Sequence, residues 1–165
     1  MERGRNERGR TVRIALGMLA LGAELGALAR WLDVHTTNLG NVFSECSVWV
    51  LIGVAVVRKS GTPLRAGGYL LALCGGMLAA YYGAAALTGG VYGGAYIAGW
   101  SLAALCVPAA AWVVWQAWRP GILGRCVGAG VIGAALLLSR VLFDGPRVYD
   151  WIIAAALAWL LFRRR

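Results

Sequence analysis

The chain has 165 residues, of which 60% are hydrophobic and only 14% charged, with a formal net charge of +9. Soluble domains carry roughly a quarter charged residues, and the mean hydropathy here is +0.68, so the composition excludes a soluble globular domain. The basic residues cap the ends of apolar blocks instead of forming a stripe interleaved with aromatics. That placement argues against a nucleic-acid partner and for a polytopic membrane protein whose first partner is the lipid bilayer.

Residues 1–10 form a basic segment, expected to be a cytoplasmic tail. Six apolar spans follow, at about 11–31, 41–57, 66–87, 91–118, 122–143 and 148–162. A helix needs about 20 apolar residues to cross hydrocarbon. The first span ends near Ala27-Leu28-Ala29, which resembles a signal cleavage site, but Glu24 inside its apolar run favours a retained helix. The second carries Glu45 one turn inside an otherwise apolar stretch. The third holds an unbroken ladder of small residues, Gly68, Ala72, Gly76, Ala80 and Ala84. Gly22 with Gly26 and Ala23 with Ala27 repeat the pattern in the first span, as do Gly124 with Gly128 and Gly130 with Ala134 in the fifth. Lipid gives helices no hydrophobic drive to associate, so small residues supply contact by close backbone approach. The ladders therefore serve packing within one bundle, or a docking face for a partner protein or a second copy. Pro108 inside the fourth span removes a backbone donor and predicts a kink. Trp112, Trp115 and Trp118 follow it as an interfacial belt or a ligand cage. The sixth span is short, about 22 Å for its 15 residues, and Arg163, Arg164 and Arg165 would snorkel to the interface.

Charge counting orients these spans. With the N-terminus in the cytoplasm, thirteen of the sixteen basic residues fall inside; Arg30, Arg140 and Arg147 fall outside. The positive-inside rule then sets both termini in the cytoplasm and an even number of spans. The expected fold is an all-α, six-helix transmembrane bundle forming a single domain over 1–165. Arg used in place of Lys, with abundant Ala and Gly, suggests a GC-rich bacterial coding bias, hence a bacterial cytoplasmic membrane.

Ionisable groups at membrane depth cost about 2.5 kcal/mol or more and so mark function. Glu24 falls in the outer half of the first span, Glu45 near the outer end of the second, and Arg140 in the outer part of the fifth. Asp144 and Asp150 flank the outer loop before the sixth, and the inner half has none. Tyr81 and Tyr82 fall in the outer third of the third span. Tyr92 and Tyr96 open the fourth, with Trp100 a turn deeper. Asn41, Glu45 and Trp49 share one helix face. These positions define an expected ligand pocket open to the outside: Glu24, Glu45, Arg140, Tyr81, Tyr82, Tyr96, Trp100 and Asn41. Two other readings stay open. Glu45 would also serve as a cap on its own helix N-terminus, and Glu24 with Arg140 as a purely structural pair.

Other chemistry has little support. Cys46, Cys74, Cys106 and Cys126 lie one per span without a C-x-x-C, so neither a redox pair nor a metal site is expected. His35 is a lone loop histidine. No span carries a lysine, which excludes a retinal Schiff base. No nucleophile–base pair or phosphate loop is visible, so no catalytic residue and no cofactor is expected.

Asn41-Val42-Phe43-Ser44, Trp49, the run Ser60-Gly61-Thr62-Pro63-Leu64-Arg65-Ala66 and Gly76-Met77-Leu78-Ala79-Ala80-Tyr81-Tyr82 together resemble a family of small, uncharacterised bacterial membrane proteins. The resemblance continues through Tyr96 and Trp100, covers about half the chain, and implies no established activity. The Glu45-Cys46 pair departs from the family's pattern. Six short helices with an outward pocket also resemble, in architecture alone, the substrate-binding subunits of energy-coupling-factor transporters. The leading expectation is thus a membrane protein that binds or transports a small solute. The alternatives are an accessory or assembly subunit, and a membrane enzyme acting on lipid-linked substrates with Glu24 or Glu45 as general base.

Overall fold

The computed structural model describes residues 2–36, 46–90, 93–143 and 147–163. It is all-α, with six α-helices among the described residues: α1 (Glu2–His35), α2 (Cys46–Lys59), α3 (Pro63–Leu87), α4 (Gly94–Trp115), α5 (Ile122–Phe143) and α6 (Val148–Phe162). A single 3₁₀ turn, Gln116–Trp118, follows α4. Four stretches are long and apolar enough to cross a membrane: Asn6–His35, Pro63–Leu87, Gly94–Trp118 and Ile122–Val141. Their large apolar side chains, among them Leu16, Leu64, Leu105, Ile122 and Leu137, are exposed. That is the surface a bilayer covers and water does not. At 14 and 15 residues, α2 and α6 are shorter than this.

Two helix boundaries match the sequence reading residue for residue, those of α5 and α6. The first helix is longer than its apolar span at both ends. Its 34 residues reach about 50 Å, well beyond a hydrocarbon core of about 30 Å. Hydropathy marks the part of a helix that prefers lipid, whereas the helix itself continues until something stops it. The flank 2–10 contains no proline and several Arg and Glu, which are good helix formers.

Local signals account for the start and end of α3. Pro63 sits at its first position, where a missing N–H costs nothing. Thr62 caps it, its hydroxyl accepting from the Arg65 N–H at 3.2 Å. At the far end Gly89 takes φ +65°, and the Gly90 N–H reaches back to the Ala85 carbonyl at 2.9 Å. This 6→1 bond with a left-handed glycine is the Schellman stop.

The chain divides into two compact units, Met1–Asn41 with Gly67–Pro108, and Val42–Ala66 with Ala109–Arg165. In the first, α1 lies directly on α3. Gly22 faces the Leu73 backbone, Gly26 the Met77 backbone, and Gly76 the Leu19 carbonyl and the Ala23 nitrogen. Residue numbers rise together along this seam, so α1 and α3 run parallel. The same unit packs Pro108 of α4 onto Gly67, where a Cβ would come within 3.1 Å of the proline ring.

In the second unit, α2, α5, α6 and the 3₁₀ turn enclose a core of Val54, Ala117, Ala135, Leu157 and Leu161. Ser47 meets Asp150 and Arg58 meets Leu160, so α2 and α6 are parallel. Ser139 meets Asp150 and Gly128 meets Phe162, so α5 and α6 are antiparallel.

The α1–α3 seam admits no side chain at Gly26. Gly26→Val is expected to lower the unfolding midpoint of the purified protein, an overpacking cost of about 1–3 kcal/mol. Gly75→Leu on α3, where a Cβ has open space, should leave the midpoint unchanged or raise it. Thermal unfolding in detergent reads both.

Candidate functional site

Because α1 and α3 are parallel and in backbone contact, their C-terminal ends emerge side by side. The last turns of α1 carry Arg30, Trp31, Asp33 and His35; those of α3 carry Tyr81, Tyr82 and Thr88. Tyr81 donates its hydroxyl proton to Asp33 Oδ2 at 2.6 Å. Arg30 Nη2 donates to Thr88 Oγ1 at 3.2 Å, and Thr88 in turn donates to the Ala84 carbonyl at 2.9 Å. The guanidinium lies flat against Gly90, where any Cβ would collide with it. A cation there also suits the negative end of the α3 dipole. Arg30 is close enough to Tyr81 to act on its hydroxyl electrostatically. Tyr82 meets Tyr81 edge-on, with ring centroids 5.3 Å apart.

This cluster holds a donor fork, a carboxylate and a hydroxyl at the paired helix ends, and it is not fully satisfied. Arg30 Nε is buried and has no acceptor among the described residues. A buried donor without a partner costs about 1–3 kcal/mol, and an arriving carboxylate or carbonyl oxygen would remove that cost.

A second polar cluster lies in the other unit and is complete. Asp150, 1% exposed, accepts at Oδ1 from Ser47 of α2 at 2.7 Å and from Ser139 of α5 at 2.8 Å. Its Oδ2 accepts from the Arg147 backbone N–H at 2.8 Å, at the start of α6. One carboxylate thus ties three helices together and caps its own.

The expected pocket residues are distributed as follows. Tyr81 and Tyr82 stand together, and the polar neighbours of Tyr81 are Asp33 and Arg30. Glu24 is exposed on α1 in the first unit; Arg140 is exposed on α5 in the second. Tyr96 and Trp100 are exposed on α4. Asn41 and Glu45 lie outside the described residues, as does Asp144. His35 is exposed but is not a loop residue: it ends α1, stacks on Trp31 at 4.8 Å, and has Nδ1 2.8 Å from the Trp31 carbonyl oxygen. Among the described residues no group of three or more His, Cys, Asp or Glu converges as a metal site would.

Sequence reasoning passed over Arg30, Asp33, Thr88 and Ser47. Arg30, at the end of the first span, enters the sequence reading only as an outer-side charge, and Asp33 lies beyond that span's end at Trp31. A helix continued to His35 would have shown Arg30 and Asp33 at i, i+3 on one face. No family model, curated protein or solved structure matches the chain.

Removing the Asp150 carboxylate would take away the acceptor shared by two hydroxyls and an N–H. Asp150→Ala is expected to cost at least about 1–3 kcal/mol, read as a lower unfolding midpoint. Ser47→Ala and Ser139→Ala should each cost less, and each should become near-neutral in the Asp150→Ala background, the signature of direct coupling in a double-mutant cycle.

Proposed function

We propose that this protein binds or transports a small solute across a bacterial cytoplasmic membrane, with six helices threaded through the bilayer and both termini inside. Its binding determinants are Arg30, Asp33, Tyr81 and Thr88 at the paired ends of α1 and α3. The carrying observation is the buried Arg30 Nε, without an acceptor among the described residues, beside a carboxylate and a phenol. Such a constellation suits a small solute that offers a carboxylate to Arg30 and a donor to Asp33.

The threading draws support from helix direction. Spans that alternate across a bilayer make α1 parallel to α3, α2 parallel to α6, and α5 antiparallel to α6, and these are the senses found within each unit. The short α2 and α6 would cross with the help of their flanking Arg and Lys side chains. The positive-inside count then turns the Arg30 end outward. The accessory-subunit reading draws less support, because Gly22, Gly26 and Gly76 are already covered within the chain.

The test is a thermal-shift screen of the detergent-purified protein against small carboxylates and zwitterions. A ligand at a hundred times its Kd stabilises the native state by about 2.7 kcal/mol. The expected outcome is a solute whose stabilisation is lost in Arg30→Gln and reduced in Tyr81→Phe. A solute that stabilises the parent and Arg30→Gln equally would move the site elsewhere.

A further inference from the structure

We infer that the face of α1 turned away from α3 is a docking surface for a transmembrane helix of another protein, one that carries a Lys or Arg side chain at the depth of Glu24. This face is distinct from the Arg30 cluster, and the solute reading has no bearing on it.

Glu24 carries the inference. Between Arg13 and Arg30 every other residue of α1 is apolar or glycine, and Asn6–His35 is one of the stretches long and apolar enough to cross a membrane. At 1.5 Å per residue, Glu24 lies about 16 Å along the axis from Arg13 and about 9 Å from Arg30. A glutamate side chain is shorter than either distance, so the carboxylate stays within the apolar stretch. It is exposed, and among the described residues it takes part in no ion pair or hydrogen bond. Lipid supplies no donor, and an ionisable group at this depth is retained where another group meets it.

The surroundings of Glu24 suit a helix. Gly17, Ala20, Glu24, Ala27 and Trp31 recur at alternating spacings of three and four, which places them in one stripe. All five are exposed. Leu19, Gly22 and Gly26, which touch α3, lie on a different side of the helix. A Cβ added to Gly17 would meet nothing within 4 Å. Small residues on both sides of Glu24 let a second backbone come close enough for its side chain to reach the carboxylate. The small residues alone would fit any helix, and the charge selects the occupant. The same spacing continues the stripe to Arg13 and Arg10, both exposed. In a parallel pair with a second copy, Glu24 would face Glu24 and Arg13 would face Arg13. Like charges at both levels disfavour that pairing. A Lys or Arg opposite Glu24 instead forms a charge-assisted bond in a medium without competing water.

The test measures energy transfer from the tryptophans of the full chain, in phosphatidylcholine vesicles, to a labelled Leu/Ala peptide about 20 residues long with Lys, Leu or Glu at its centre. The Lys peptide should bind about tenfold more tightly than the Leu peptide. Glu24→Gln should erase that preference, and Glu24→Lys should transfer it to the Glu peptide, a gain that misfolding cannot produce. Ala20→Ile, which fills the stripe beside Glu24, should weaken binding of the Lys peptide. Gly75→Leu, on an open face of α3, should leave it unchanged. Equal binding of the Lys and Leu peptides to the parent, or a Lys preference that survives Glu24→Gln, would overturn the inference. Self-association of the parent chain that is lost in Glu24→Gln, and that the Lys peptide does not compete with, would also overturn it and assign the face to a second copy.

Discussion

Helices in hydrocarbon gain nothing from hiding apolar side chains from one another, so they associate only where their surfaces touch closely over some length. In this protein the closest such contact is the seam between α1 and α3. Gly22 and Gly26 bring the first backbone onto Leu73 and Met77, and Gly76 brings the second onto Leu19. The seam sets two things at once, the parallel sense of the helices and their register. Register is what matters for chemistry. A shift of one turn would carry Arg30 away from Thr88 and Tyr81 away from Asp33, and the polar cluster at the helix ends would no longer exist.

The second unit solves the same problem with polarity instead of small residues. Asp150 collects Ser47, Ser139 and the Arg147 N–H at one end of α2, α5 and α6. The Leu160 carbonyl collects Arg58 and Trp118 at the other. Between these two ties the core is aliphatic. A buried carboxylate that holds three donors from three elements specifies one helix register, because sliding breaks those bonds where no water can replace them. The two polar ends differ in completeness. Asp150 is surrounded by donors, whereas the Arg30 Nε of the first unit lacks an acceptor among the described residues. An incomplete buried polar group is the expensive kind.

Much of the architecture was legible before any coordinates. Helical character follows from long apolar runs, since only a helix satisfies its own backbone in lipid. The ends of α5 and α6 follow from Pro120-Gly121 and from the Gly145-Pro146 break. The role of Gly76 in close packing follows from its spacing in the ladder. The candidate site was legible only in part. Tyr81 and Tyr82 are readable by their depth, but Asp33, the partner of Tyr81, is not, because it lies beyond the point where the hydropathy of the first span falls. Helix continuation depends on backbone propensity and caps, and hydropathy does not report it.

The sequence by itself determined that the chain is helical, that it carries apolar runs of membrane length, and that its basic residues gather at the ends of those runs. These are properties of single segments and their solvent, written in composition and period. Only the tertiary structure decided which polar groups meet. Asp33 finds Tyr81 across 48 positions, Ser47 finds Asp150 across 103, and Arg58 finds Leu160 across 102. Such pairings depend on which helices pack together, in what direction and at what register. Those choices are made by a few close backbone approaches and buried hydrogen bonds between segments distant in the chain, and no local pattern encodes them.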